Sequence, residues 1–533
     1  MRSMPGSALL SVSDKTGIEA FARALQKNGF TIIATGGTRK VLEADGIRTT
    51  SVEEITEFPE CFSGRVKTLH PKILGGILCD RTNKEHLQEA KRLGITPIDL
   101  ICVNLYPFES IATKKESTYE ELIEQIDIGG VTLLRSAAKN HAHVTVIYDP
   151  ADYERVLTEV KKHGNTTETL RKELATKAFL RTTAYDACIT EILSEGQNRG
   201  ILLTNGKELR YGENPHQWGK FYEHWGKADE GWAVLQGKPL SYLNLLDADA
   251  AWSLVQEFEE PTAACIKHAN PSGVASNHKI TEAFQRCYDA DKLSAFGVIV
   301  ALNRPCTEDI IEKIIEQKIF VEVIVAPEYE KEALELLQKK PNIRAITMCS
   351  APSCHSEDVP SVGQGYPCPT EGTFRRIHKE LMRLTYRSCL GGMLVQNEDT
   401  KTVMQNDLQC VTEKKPTEGQ ITDLLFSWKV AKHAKSNAIV FAKDRATLGI
   451  GCGQTSRVDA VHLAARKSGE KSRGAVMASD AFFPFPDSID EACTHGISAI
   501  IQPGGSIRDE EVIARANVCN IAMVFTGVRA FRH

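Results

Sequence analysis

Apolar and polar positions along the first 150 residues keep two rhythms in turn, and the rhythm changes at short glycine-bearing segments. Residues 8–12 are apolar apart from Ser11, which predicts a buried strand. Ile18, Phe21, Ala22 and Leu25 then recur at helical spacing as far as Asn28-Gly29. Residues 30–34 predict a second strand, Thr35-Gly36-Gly37-Thr38 a tight turn, Val41-Leu42 a short helix closed by Gly46, and residues 47–52 a third strand. Residues 100–104 and 144–148 predict two more. Strands separated by helices imply a parallel sheet covered on its faces, with ligands gathered at the carboxyl ends of the strands.

Helical periodicity then runs through residues 153–162 and 168–194 and stops at the polar run Glu195-Gly196-Gln197-Asn198-Arg199-Gly200. Beyond it the α/β pattern restarts, with strands expected at 263–267, 298–301, 323–326, 438–442, 499–502 and 522–525. A Pro-, Ser-, Gly- and Cys-rich stretch at 350–372 reads as an exposed loop, and no repeat of fixed period stands out. The expected organisation is a parallel-sheet domain at 1–150, a helical connector at 151–199 belonging to it, and a second α/β region at 200–533.

Composition adds limits. A chain of 533 residues exceeds what one core supports, so two to four domains are expected. A net charge of −5 gives no global pull toward nucleic acid or anionic membrane, so small-molecule partners are expected, with any anion held by local groups. The basic N-terminus has too short an apolar run for a signal peptide, and no apolar run is long enough to span a membrane. The 15 cysteines are odd in number and never spaced Cys-x-x-Cys, which points to reduced thiols in the cytoplasm. Cys349, Cys354, His355 and Cys368 come nearest to a metal spacing, but no metal is expected.

The candidate chemistry is local. Lys267–His268 follows a strand-like lead-in and precedes Asn270-Pro271-Ser272-Gly273, read as a turn, so a cation and an imidazole stand at the mouth of a sheet and suit proton transfer. Ser13-Asp14-Lys15-Thr16 and Thr35-Gly36-Gly37-Thr38 follow neighbouring strands and offer amides and hydroxyls to a phosphate. In Arg65-Val66-Lys67-Thr68-Leu69-His70-Pro71 the two cations face one way, and the segment carries no acidic partner of its own, which favours anion binding. Asn104, Tyr106, Asp127-Ile128 and Lys139 supply an amide, a phenol, a carboxylate and an amine for one pocket. The bland alternatives are a solvated basic loop and a rim aromatic. No nucleophile elbow, P-loop, dinucleotide fingerprint or zinc-deaminase pattern is present.

These segments, with Gly64, Asn104-Leu105-Tyr106-Pro107-Phe108, Gln125-Ile126-Asp127-Ile128-Gly129-Gly130, Arg210-Tyr211-Gly212, Ser294-Ala295-Phe296-Gly297, Ser436-Asn437 and Gln502-Pro503-Gly504-Gly505-Ser506, occur in one order along nearly the whole chain. In that order the chain resembles the bifunctional purine-biosynthesis family that joins an aminoimidazole carboxamide ribonucleotide (AICAR) formyltransferase to an inosine monophosphate (IMP) cyclohydrolase. The resemblance implies an α/β protein: an N-terminal methylglyoxal-synthase-like parallel-sheet domain, then a transformylase region of two cytidine-deaminase-like α/β subdomains. It implies transfer of formyl from 10-formyltetrahydrofolate to AICAR, giving the formylated intermediate FAICAR, which closes to IMP with loss of water. The implied enzyme is a cytoplasmic homodimer.

Site residues follow from the same resemblance. His268 would move the proton in formyl transfer, Lys267 would assist the carbonyl oxygen or the departing folate nitrogen, and Asn437 would orient. AICAR would lie against Arg210, Tyr211, Gly297, Glu322, Arg457 and Arg529, and folate near Val458, Phe482, Asp487, Ser506 and Ile507. For ring closure Lys139 would give and take the proton, Tyr106 and Lys67 would face the oxyanion, and Asp127 would hold the amide nitrogen. That ligand would also meet Ser13, Asp14, Lys15, Thr35, Gly36, Gly37, Thr38, Arg65, Val66, Thr68, Asn104 and Ile128.

The chain departs from the pattern at Val298, where bacterial members usually have a second glycine, and at Ala530, where they have His. Ala434 replaces the hydroxyl of the vertebrate monovalent-cation segment, so that site is not carried over. Two alternatives stay open: a single-activity enzyme with one degenerate half, and a regulatory module like the effector domains of carbamoyl phosphate synthetase. The Arg65–Lys67 cations, Tyr106 and Lys139 argue against a pure sensor, which needs only phosphate contacts.

Overall fold

The computed structural model describes residues 6–112, 118–226, 231–348, 384–389 and 391–533; the cysteine-bearing 350–372 stretch and the Cys349/Cys368 group lie outside them. The chain forms two compact units, Met1–Leu203 with Pro360–Asn397 and Thr204–Val359 with Glu398–His533.

In the first unit the buried aliphatic runs become β1 (Ser7–Val12), β2 (Thr31–Ala34), β3 (Thr50–Ser51), β4 (Leu100–Asn104) and β5 (Thr145–Ile147). They pair in parallel in the order β3-β2-β1-β4-β5. The winding reverses between β1 and β4, so a crevice opens at their carboxyl ends. Helices cover both faces, and Leu9, Leu10, Ile32, Ile101 and Val146 are buried between them. The third strand is shorter than the expected 47–52. Ser51 accepts the Glu54 amide at 3.1 Å and starts the helix Val52–Thr56, so capping ends the strand. The Thr35–Thr38 segment is likewise no free turn: Thr35 is the cap, and the helix Gly36–Ala44 begins on the glycines.

From Leu203 onward the strands are β6 (Leu203–Glu208), β7 (Lys220–His224), β8 (Trp232–Gln236), β9 (Thr262–Lys267), β10 (Asn270–Ser276), β11 (Val298–Leu302), β12 (Val321–Ala326), β13 (Arg344–Met348), β14 (Leu384–Cys389), β15 (Gly392–Asn397), β16 (Gln409–Cys410), β17 (Ile439–Lys443), β18 (Ala446–Gly451), β19 (Val476–Ser479), β20 (Ala499–Gln502) and β21 (Ala522–Phe525). β6 pairs with β7 and β14 with β15. The other twelve form one sheet, β16-β21-β20-β19-β17-β18-β10-β9-β11-β12-β13-β8.

That order is a fold written twice. In each half a hairpin (β9–β10, β17–β18) is followed by three parallel strands, and an earlier strand (β8, β16) pairs antiparallel with the last of them. The halves join where β10 meets β18 antiparallel. Corresponding residues lie 176 to 178 positions apart, and few are identical, which is why no period shows in the sequence.

The expected turn Asn270-Pro271-Ser272-Gly273 is in fact the start of strand β10, and Gly449 and Gly451 lie inside strand β18. Glycine is there for packing. A Cβ at Gly273 would strike the Cys287 carbonyl of the covering helix, and one at Gly449 the Ala464 carbonyl of its counterpart. The hairpin turn is His268–Ala269 itself.

Two candidate active sites

At the carboxyl edge of the first sheet, Asn104 ends β4 and ties it to the segment after β1. Its Oδ1 accepts the Ser13 and Asp14 amides, the latter at 2.9 Å, and its Nδ2 donates to the Asp14 carbonyl at 3.1 Å. Lys15 is folded back onto the Val12 and Ser13 carbonyls. Beside them Thr38 both accepts from the Val12 amide (3.0 Å) and donates to its carbonyl (3.2 Å), and Thr35 donates to Ser11 at 2.9 Å. The helix Gly36–Ala44 carries no side-chain cap on its first turn, and a Cβ at Gly36 or Gly37 would meet open space. These glycines answer no packing demand within the described residues; they leave a helix N-terminus bare for an anion.

Asp127 anchors the same edge. It accepts the Gly130 amide at 2.7 Å and the Tyr106 amide, while its own amide donates to the Tyr185 hydroxyl at 2.9 Å. Burial raises the Asp127 carboxyl pKa against the opposing pull of these two amides and the Lys67 ammonium. Thr68 is buried against Gly129. Val66 bridges Cys61 across a tight loop, and Tyr106 and Ile128 are exposed. The cations are not unpartnered, as their own segment suggested. Arg65 pairs with Glu124 from a distant segment, and Lys67 stands 4.0 Å from Glu60, seven residues upstream on the same loop.

Lys139 ends the helix Gly129–Lys139, about 15 Å along the axis from Gly129 at 1.5 Å per residue. Its neighbour Asn140 donates to the Ile77 and Cys79 carbonyls. At the strands' amino edge, Asp99 accepts from Ser7 and Arg81.

In the second unit one edge of the twelve-stranded sheet collects the predicted residues, because the antiparallel β10·β18 junction sets the start of β10 beside the end of β18. His268 (φ 56°) and Ala269 (φ 56°) form a two-residue turn between paired Lys267 and Asn270. Both residues in the left-handed region is the twist a tight hairpin needs. Asp247, buried on the helix Tyr242–Val255, accepts the Ala269 amide at 2.7 Å and the His268 amide. Lys267 Nζ donates to the Phe296 carbonyl at 2.6 Å, next to Gly297 (φ 71°) at the head of β11. Fully buried Arg344 holds Glu322 at 2.7 Å and the Lys238 and Pro239 carbonyls, which stations one Glu322 carboxylate at this edge. Arg210 stacks on Tyr211, 4.6 Å to the ring centre, and its amide is fixed to Leu240.

From the other half, the Lys435 amide donates to Asn270 Oδ1 at 3.0 Å, joining the segment before β17 to the hairpin. Asn437 donates to the Gln454 and Thr455 carbonyls (3.0 and 3.1 Å) and accepts from Arg457 at 2.7 Å. Arg457 also pairs with Asp480, both almost wholly buried, and Asp480 accepts from Ser436 as well. The remaining predicted groups follow the carboxyl ends of β18, β19, β20 and β21. Val458 lies on the helix Arg457–Ser468 and Phe482 is half exposed; Asp487 starts the helix Asp487–Thr494, and Arg529 stacks on Phe531. Ser506 accepts the Arg508 amide, and Ile507 is fully exposed. Sequence reasoning did not single out Asp247, Arg344 or Asp480 as site residues. Only the spacing of Asp247 from its helix cap, repeated in the second half, carried a signal.

Residues 137–467 match the family model of the AICARFT/IMPCHase bienzyme, and residues 17–132 that of the MGS-like domain. The chain belongs to this bienzyme family. The bifunctional purine biosynthesis proteins PurH of Bacillus cereus (strain G9842) and Bacillus anthracis (strain CDC 684 / NRRL 3495) are each 47% identical to it over 539 aligned residues, covering 99% of this chain and 100% of theirs. The crystal structure of ForH matches 35% of this chain and 98% of its own at 36% identity, with a TM-score of 0.32. Membership makes the chain an enzyme of purine biosynthesis with formyltransferase and IMP cyclohydrolase activities. As a bienzyme of this family it acts on small molecules. No described helix is long and apolar enough to cross a membrane.

Proposed function

We propose that the first unit's carboxyl edge closes FAICAR to IMP and that the second unit's shared edge formylates AICAR from 10-formyltetrahydrofolate. The observation that carries this reading is the sheet junction, which sets Lys267–His268 from one half beside Asn437–Arg457 from the other.

In formyl transfer the AICAR amine attacks the formyl carbon. His268 takes the amine proton, and the bond from that carbon to the folate nitrogen breaks as a proton reaches that nitrogen. Lys267 faces the carbonyl oxygen while its charge grows, and Asn437 orients that oxygen or the imidazole. Arg210, Tyr211, Gly297, Glu322, Arg457 and Arg529 hold the ribonucleotide, and Val458, Phe482, Asp487, Ser506 and Ile507 the folate. The exposed rings of Phe482 and Phe485 support a flat heterocycle there.

In ring closure the carboxamide nitrogen attacks the formamide carbon. Asp127 takes its proton, Lys67 and Tyr106 stabilise the oxyanion, and the oxygen leaves as water carrying that proton and the one from the formamide nitrogen. A carboxyl whose pKa burial has raised is the better base. The bare helix N-terminus at Thr35–Thr38 and the Ser13–Lys15 segment hold phosphate, with Arg65, Val66, Thr68, Asn104 and Ile128 around the ring. Lys139, at the far end of its helix, lies outside this set. Lys139→Ala is expected to leave cyclisation within about threefold of wild type, since proton transfer from a positioned group contributes about 100-fold or more.

The enzyme is a cytoplasmic homodimer in this reading, needing no metal. Exposed Leu293 and Phe296, the latter hydrogen-bonded through its carbonyl to Lys267, support a covering second copy. The test supplies AICAR with 10-formyltetrahydrofolate, then FAICAR alone, and follows product absorbance. IMP is expected from both. IMP from FAICAR with none from the first mixture would overturn the transferase assignment.

A further inference from the structure

The hairpin turn that carries His268 is built a second time, 176 residues further along, in a place with no chemistry assigned to it. There Asp444 (φ 52°) and Arg445 (φ 55°) link paired Lys443 and Ala446, again both in the left-handed region. Asp423 accepts their amides, Asp444 at 2.9 Å and Arg445 at 2.7 Å, as Asp247 accepts those of His268 and Ala269. Each acid stands six residues past a capping-box residue: Asp247 past Ser241, Asp423 past Thr417. One carboxylate spanning two consecutive amides fixes a left-handed turn that non-glycine residues otherwise avoid.

The twin turn separates what the carboxylate does for folding from what it does for the reaction. The Arg445 side chain is committed to Glu260 at 2.6 Å and the Asp444 carbonyl to Arg286 at 2.6 Å, so that turn is closed by its own neighbours. At the first turn the His268 side chain is exposed, on the edge with Asn437 and Arg457. Same device, different cargo.

We propose that Asp247 is a positioning residue for formyl transfer: its carboxylate holds the His268–Ala269 turn, and with it the imidazole, in line with the amine of the bound ribonucleotide. This rests on the assignment of proton transfer to His268. In this proposal Asp247 acts on the reaction only through the turn it holds. Its effect should therefore fall on kcat rather than on KM for AICAR, because misplacing a reacting group by about 1 Å costs on the order of 100-fold while phosphate contacts stay intact.

The test is a set of four full-length variants: Asp247→Asn, Asp423→Asn, His268→Ala and Asp247→Asn/His268→Ala. Asparagine keeps one acceptor but turns an amide toward the second N–H. Thermal midpoints should fall by similar amounts in the two single Asn variants, since the same device is damaged. Formyl-transfer kcat should fall about 10- to 100-fold in Asp247→Asn, with KM for AICAR within about threefold and cyclisation of FAICAR unchanged. Asp423→Asn should leave kcat unchanged. In the His268→Ala background Asp247→Asn should cost nothing further.

Equal losses of kcat in both single Asn variants would reduce Asp247 to a fold-stabilising residue and overturn the proposal. So would an unchanged kcat in Asp247→Asn, or a further loss in the double variant. Full formyl transfer by His268→Ala would instead remove the His268 assignment itself, a separate failure.

Discussion

The two halves of the twelve-stranded sheet share strand order, hairpin geometry and the turn-holding aspartate, yet they treat the corresponding edges in opposite ways. On the edge that joins the start of β10 to the end of β18, the His268 side chain is exposed, and Lys267, Glu322 and Asn437 are half-buried on the same edge, Asn437 held by Arg457. On the opposite edge the same positions are consumed internally. Asn303, which follows β11 as Asp480 follows β19, accepts the Thr262 amide at 2.7 Å and donates to the Phe258 and Glu260 carbonyls, each at 2.8 Å. Duplication thus supplies one scaffold twice, and the proposed chemistry sits on the edge that leaves the His268 side chain exposed.

This contrast can be broken most strongly at Asp480 and Asn303. Asp480→Ala leaves the Arg457 guanidinium buried without its partner and should cost about 3–5 kcal/mol by chemical denaturation. Asn303→Ala removes only neutral partners and should cost about 1–3 kcal/mol. A smaller loss at Asp480 than at Asn303 would mean that the active edge is not the one carrying buried charge.

The seam between the halves offers a pH test. Glu257 and His433, again 176 residues apart, meet there at 3.1 Å, with Lys432 at 2.8 Å from the same oxygen. Burial opposes the Glu257 carboxylate, but the hydrogen bonds from His433 and Lys432 outweigh it and pull the pKa from 4.5 down to about 2. A depressed carboxylate stabilises the fold above its unfolded pKa, and that stability drains as pH falls through the folded one. About 3 kcal/mol should be lost between roughly pH 5 and pH 2. Glu257→Gln should flatten that dependence; an unchanged slope would place the seam's stability elsewhere.

The smallest effect sharpens the comparison at the turns. Ala269 has a left-handed backbone and no polar role, so Ala269→Gly should stabilise by about 0.5–1 kcal/mol after the entropy of glycine is counted. Arg445→Gly should not, because it also removes the pair with Glu260.

Much of this was legible in the sequence, for physical reasons that also mark the limit. Residues 100–104, 499–502 and 522–525 became strands with those bounds, because unbroken aliphatic runs between turns have few other fates. β10 and β18 were missed since Pro and Gly ordinarily end strands, and the need for glycine there is set by a helix carbonyl that sequence cannot place. At the sites, Lys267, His268, Asn437 and Arg457 were visible as residue types, and the junction that gathers them was not. Glu124 answers Arg65 from a distant segment, Glu60 answers Lys67 from just upstream, and Lys139 stands at the far end of a helix that starts two residues after Asp127.

The division of labour between the two edges is tested most directly by assaying both reactions on His268→Ala. Formyl transfer should fall about 100- to 10,000-fold, the range of a lost general base, while cyclisation of FAICAR proceeds at the wild-type rate. Formyl transfer at the wild-type rate, or loss of both activities in a variant with an unchanged thermal midpoint, would contradict separate edges with His268 serving one of them.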